Sequence, residues 1–172
     1  DYSQRHYGAG GIVPALAPHG RGTGQGSSPL VHYKGGQIRA TLDGLAEEEG
    51  DPHEGIRVQF TNPVDGAPVF TTLGYGAQLL RPGEQTLPKR ETASTLYCVL
   101  SGRGTTEVAG QKLDWEENDI FIVPNHLWRH HVNTDPDNPA VLYTVSDASL
   151  LQKLGHYRAQ GRTASGDVVE LD

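Results

Sequence analysis

The 172-residue chain carries 14 Lys and Arg against 21 Asp and Glu, a formal net charge of −7, and combines 35% hydrophobic residues with 22 Gly and 11 Pro. An acidic balance without a basic stripe excludes a phosphate-neutralising nucleic-acid surface; a lone cysteine, Cys98, rules out an internal disulfide and argues against a cysteine-based zinc site; and no apolar run approaches the ~20 residues that cross a bilayer. The turn-rich composition points to one soluble all-β domain rather than a helical bundle, the missing n-region and h-region point to the cytoplasm, and a sequence without Met that begins at Asp1 is expected to be a piece of a longer polypeptide.

Residues 1–29 read as a Gly-rich linker. Gly20, Gly22, Gly24 and Gly26 alternate through a polar stretch that lacks the preceding strand, following helix and lysine of a phosphate-binding loop. Residues 30–54 read as a connecting segment whose Ile38, Leu42 and Leu45 recur at helical spacing, which predicts an amphipathic helix over 37–49. The acidic run at 47–49 opposes the dipole at that helix's C-terminus and is expected to weaken its last turn. Residues 55–160 then switch to short alternating segments, with strands predicted at 57–60, 75–80, 95–101, 105–108, 111–115, 119–123, 130–133 and 140–145, the pattern of a jelly-roll barrel. Asn62-Pro63 with Asp65-Gly66, Arg81-Pro82-Gly83 and the 135–139 run supply corners, and Gly102-Arg103-Gly104 reads as a hairpin. Ser149 is placed to cap a short C-terminal helix with Leu150, Leu151 and Leu154 on one side, and 161–172 read as a polar tail.

Chemistry-bearing residues concentrate between positions 82 and 133. Gly83, Lys89, Glu91, Thr95 and Gly102 keep the order and spacing of the first cupin motif, and Asn118, Pro124, His126, Arg129 and Asn133 those of the second. The stretch resembles a cupin double-stranded β-helix whose metal-ligand positions have become Lys89, Glu91, Thr95 and Arg129. A divalent iron, manganese or zinc ion wants neutral imidazole and carboxylate donors, and a guanidinium cannot deprotonate to supply one. No metal is therefore expected at these four positions. Glu91 is expected to pair with Arg129 or Lys89 instead, because a partly buried charge without a partner costs several kcal/mol.

His126, His130 and His131 offer an alternative metal cluster, but neighbours on a strand face opposite sides. The register places Arg129 and His131 on one face, Trp128 and His130 on the other, and His126 in a turn. His6, His19, His32, His53 and His156 fall in loops and helix, where solvated or capping roles are the default. Cys98, flanked by Tyr97 and Val99, reads as a buried inert thiol. No Gly-x-Ser-x-Gly elbow presents a serine.

Longer phrases point to one family. Thr61-Asn62-Pro63-Val64, Gln78-Leu79-Leu80-Arg81-Pro82-Gly83, Leu96-Tyr97-Cys98-Val99, Trp115 ahead of Asn118-Asp119-Ile120-Phe121-Ile122-Val123-Pro124, and Lys153-Leu154-Gly155-His156-Tyr157-Arg158 resemble the C-terminal half of the gentisate 1,2-dioxygenase group, over about residues 28–158. Salicylate and 1-hydroxy-2-naphthoate dioxygenases are similar to these. The resemblance implies a bicupin, assembled as a homotetramer, that opens a hydroxylated aromatic acid with Fe(II) and O2 in extradiol-type chemistry. It also implies that the iron sits in an N-terminal barrel absent from this sequence. This half is then expected to be metal-free and inactive alone, with a structural and oligomerising role. Two rivals stand beside it: a stand-alone metal-free cupin that clamps a small carboxylic acid with Lys89, Arg129 and His131, and a single-barrel metalloenzyme using His126, His130 or His131.

Overall fold

The computed structural model describes residues 32–63 and 66–171. The Gly-rich linker, His6, His19 and Asp65 of the first corner lie outside the described residues. The chain runs α1 (Gly35–Gly44), β1 (Ile56–Gln59), β2 (Gly74–Leu80), β3 (Lys89–Glu91), β4 (Thr95–Ser101), β5 (Arg103–Val108), β6 (Gln111–Glu116), β7 (Ile120–Val123), β8 (Arg129–Asn133), β9 (Ala140–Ser146), α2 (Ala148–Lys153), β10 (Ala159–Arg162) and β11 (Val168–Glu170). The strands form two antiparallel sheets, a five-stranded one in the order β1-β2-β9-β4-β7 and a six-stranded one in the order β11-β10-β3-β8-β5-β6. This is the all-β jelly-roll expected, with a helix before it and a short one near its end.

Period-two alternation decides what faces inward. On β4, Thr95, Tyr97 and Val99 are buried while Leu96, Cys98 and Leu100 point outward. The inward set joins Leu80, Val108, Trp115, Val123, Ala140 and Leu142 in a core between the sheets, where Tyr97 stacks on Phe121 at 5.0 Å. A second cluster lies outside the five-stranded sheet. There Leu42 of α1 is fully buried against Ile56, Ala77, Leu79 and Val141, which contributes about 2 kcal/mol for that side chain alone.

Several expectations need correcting. The helix starts earlier and stops at Gly44, with Leu45 as its C-cap, so Glu47 to Glu49 lie in the turn beyond it. Acid at the negative end of the dipole and a glycine at its last position both favour that early stop. The carbonyls of Ala46 and Glu48 are taken instead by the Arg81 guanidinium. Gly102 makes no hairpin, because β4 and β5 belong to different sheets. Its φ of +89° swings the chain from one sheet to the other, and a Cβ there would overlap Ala140. Ser149 sits inside α2 and is buried, while Asp147 occupies the N-cap position and its carboxylate accepts Ser94 N–H at 2.8 Å. Leu150 and Leu154 are exposed and form no inward stripe. The stretch read as a polar tail contributes to a hairpin: β10 pairs with β3, placing Gly161 opposite Lys89, and β11 closes the sheet edge.

Candidate site: a buried ion-pair quartet at the cupin ligand positions

β3 and β8 meet in register at one pair, Lys89 opposite Arg129, and both side chains are buried inside the barrel at 6% and 3% exposure. Like charges directly opposed across two strands repel, so something must stand between them. That group is Glu54, which sequence reasoning missed. Its Oε1 accepts from Lys89 Nζ at 2.5 Å and from Arg129 Nη2 at 3.1 Å. Glu91 lies two residues along β3 from Lys89 and so projects from the same face. Its Oε1 accepts from Arg129 Nη2 at 3.0 Å, its Oε2 lies 3.6 Å from Lys89 Nζ, and the same Oε2 accepts the Tyr157 hydroxyl at 2.7 Å. The pairing expected of Glu91 is therefore present with both cations, and the four formal charges cancel.

Local chemistry positions Glu54. The Asp51 carboxylate accepts the backbone N–H of His53 at 2.7 Å and of Glu54 at 3.1 Å, a side-chain turn that Gly55 closes at φ +69°. Gln78 Nε2 donates to the Glu54 carbonyl at 2.6 Å. His53 is buried rather than solvated: its ring Nδ1 lies 3.1 Å from the Pro88 carbonyl and ties the turn to the strand that carries Lys89. Asp51, Pro52 and Gly55 were the available signal for such a turn, although nothing in them fixes where its glutamate points.

The electrostatics follow from burial and pairing. Burial alone would raise the Glu54 carboxyl pKa, but Arg129 and then Lys89 overcome it and hold the group far below the usual carboxylate range. For Arg129 the sign is reversed: burial disfavours its charge, and Glu54 together with Tyr97 and Glu91 more than restores it. Burial, followed by Glu91, pushes the Tyr157 hydroxyl up, so that it stays a hydrogen-bond donor.

The remaining predicted site residues do not converge. Thr95 lines the same interior from β4, and no hydrogen bond joins it to the quartet. His131 is fully buried on the Arg129 face, as the register required; its Nδ1 lies 2.7 Å from Thr106 Oγ1, which accepts Trp115 Nε1–H at 2.9 Å. Burial and then the Arg129 charge lower its pKa to about 3, so it is a neutral core histidine. His130 faces the other way, and His126 occupies an exposed turn at φ +60°. Trp128, on the outer face, is held between Arg90 and Arg162, each 4.7 Å from the ring. Cys98 is half-buried on the outer face of β4, not in the core, because Tyr97 and Val99 take the inward positions.

A divalent metal does not fit this donor set. Two of the four ligand positions are permanently or ordinarily cationic, and both carboxylates are engaged by those cations. Among the described residues, no group of three or more His, Cys, Asp or Glu is arranged to hold an ion. The carboxylate clamp read into Lys89 and Arg129 is likewise occupied, by Glu54 and Glu91.

Residues 76–146 match the model of the cupin domain, spanning β2 to β9 and so most of both sheets. The chain carries a cupin domain. Its sequence relatives are dioxygenases: it is 38% identical over 168 residues to a 5-aminosalicylate 1,2-dioxygenase from Comamonas, covering 96% of this chain and 43% of that protein. It is 36% identical over 133 residues to a gentisate 1,2-dioxygenase from Haloferax, covering 76% of this chain and 36% of the relative. A crystal structure of salicylate 1,2-dioxygenase from Pseudaminobacter salicylatoxidans superposes with a TM-score of 0.70 at 24% identity, over 92% of this chain and 45% of that one. The chain thus spans less than half the length of these relatives. None of its described helices is long and apolar enough to cross a membrane.

Proposed function

We propose that this chain is the metal-free C-terminal barrel of a ring-cleaving dioxygenase that opens a hydroxylated aromatic acid of the gentisate or salicylate type with Fe(II) and O2. Its role is to stabilise and assemble an iron-bearing N-terminal barrel of the same polypeptide, in a homotetramer. The observation that carries the reading is the closed quartet in which Lys89, Glu91 and Arg129, at three of the four positions where a cupin holds metal, are joined by Glu54. Charge that would repel an ion is neutralised within the barrel, so the site works as a structural tie between β3, β8 and the 51–55 turn.

Two observations support a partner barrel. The relatives are more than twice as long as the matched region, which leaves room for a second domain. The outer face of the five-stranded sheet is covered by α1 over β1, β2 and part of β9, but at its other end Leu100, Ile120 and Ile122 are exposed at 49%, 65% and 58%. Contiguous apolar surface of this kind marks an interaction face. In this role the barrel contributes buried area rather than reacting groups.

The test is oxygen uptake. Folded by circular dichroism and supplied with Fe(II), gentisate or salicylate, and O2, the chain is expected to consume neither substrate nor oxygen. Uptake that scales with iron bound to this chain would overturn the proposal.

A further inference from the structure

Beside the quartet, a cavity of about 90 Å³ opens at the barrel mouth between β1, β4, β9 and α2. Its walls carry Arg57 and the hydroxyl-bearing Thr95, Thr144, Ser146 and Ser149, while the Tyr157 hydroxyl beside them is already given to Glu91 Oε2. These are donors or donor-capable groups. Of the acceptors on its walls, the carboxylates of Glu54 and Glu91 are engaged by Lys89 and Arg129, and the side-chain amides of Gln59 and Gln152 offer a donor as well as an acceptor. The Ser146 oxygen accepts the Ala148 N–H at 3.2 Å, which leaves its own proton free to donate. Arg57 projects inward from β1, because its neighbours Ile56 and Val58 belong to the outer cluster, and its side chain forms no ion pair with the described residues. With the quartet neutral, the unbalanced charge at this mouth is the single positive charge of Arg57.

We propose that this mouth is a binding site for a small monocarboxylate, of acetate to pyruvate size, held by Arg57 and the ring of hydroxyls. The charge of one cation matches one carboxylate, and donation from a guanidinium to a carboxylate is among the stronger hydrogen bonds available to a protein. The volume admits a few non-hydrogen atoms and excludes a ring-bearing acid, so the ligand differs in class from the aromatic substrate proposed for the parent enzyme. The site stands independently of that proposal, since it needs neither iron nor a second barrel.

The experiment is isothermal titration of the chain with acetate at constant ionic strength in chloride, with acetamide as the neutral isostere. One acetate per chain is expected, with no saturable acetamide binding. Arg57→Gln, an exposed position, is expected to weaken acetate at least tenfold and Arg57→Lys to recover part of the loss, while Thr144→Val weakens it less than Arg57→Gln does. Absence of saturable acetate binding, equal binding of acetamide, or unchanged affinity in Arg57→Gln would each overturn the proposal. The acetamide comparison decides on the unmodified chain even if a variant fails to fold.

Discussion

Replacing Glu54 with Gln keeps its shape but removes the charge that lies between Lys89 and Arg129. The quartet then carries a net charge of one, and Lys89 is left with Glu91 at 3.6 Å as its remaining carboxylate. Removing one member of a buried pair costs about 3–5 kcal/mol; because Glu91 still bonds Arg129 at 3.0 Å, the lower end, about 3 kcal/mol, is expected. For a chain of this size that corresponds to a fall of roughly 6–12 °C in Tm. With a urea m-value near 2 kcal/mol/M, it lowers the unfolding midpoint by about 1.5 M. Equilibrium urea unfolding followed by tryptophan fluorescence and circular dichroism measures it. The double variant Glu54→Gln/Lys89→Met restores neutrality and is expected to recover more than half of the loss, since a buried pair replaced by apolar groups is often close to neutral. A loss below about 1 kcal/mol, the range of exposed pairs, or a double variant weaker than Glu54→Gln, would refute the reasoning.

Acid should expose His131. Its folded pKa of about 3 lies below the ordinary unfolded value near 6.5, so between those limits the unfolded chain binds a proton that the native chain refuses. Stability is then complete above about pH 6.5 and falls on acidification by up to ~1.4 kcal/mol per pH unit. His131→Gln should flatten that slope in urea titrations between pH 4 and 6, and an unchanged slope would assign the dependence elsewhere. Gly104→Ala places a methyl group on the Trp115 ring and the Val132 carbonyl. A loss of at least about 2 kcal/mol in urea unfolding is expected, whereas a loss under about 0.5 kcal/mol would mean the close approach is relaxed.

What the sequence reveals divides along local and non-local lines. The alternation of Thr95, Tyr97 and Val99 against Leu96, Cys98 and Leu100 locates β4 to the residue, and the same rule puts Arg129 and His131 on the inner face. Strand β3 is Lys-Arg-Glu, with no apolar residue to betray it; it is a strand because β8 and β10 pair with it. Strand β10, Ala-Gln-Gly-Arg, is equally silent, and Gly161 is needed there because the His53 ring lies where a side chain would begin. Glu54 was invisible for a related reason. It reaches the site from a turn 35 residues before Lys89 and 75 before Arg129, held there by Asp51 and Gln78. Cation-bearing ligand positions did signal that compensating carboxylates must exist, and Glu91 could be named because it shares a strand with Lys89.

Iron stoichiometry is the direct measurement of whether ion pairs have replaced the metal in this barrel. The chain, purified after expression in Fe(II)-supplemented medium and dialysed without chelator, is predicted to retain far less than one iron per chain by plasma mass spectrometry, with the same urea midpoint whether or not Fe(II) is added. One tightly held iron per chain, with a midpoint raised by Fe(II) and lost in Glu91→Gln, would contradict it.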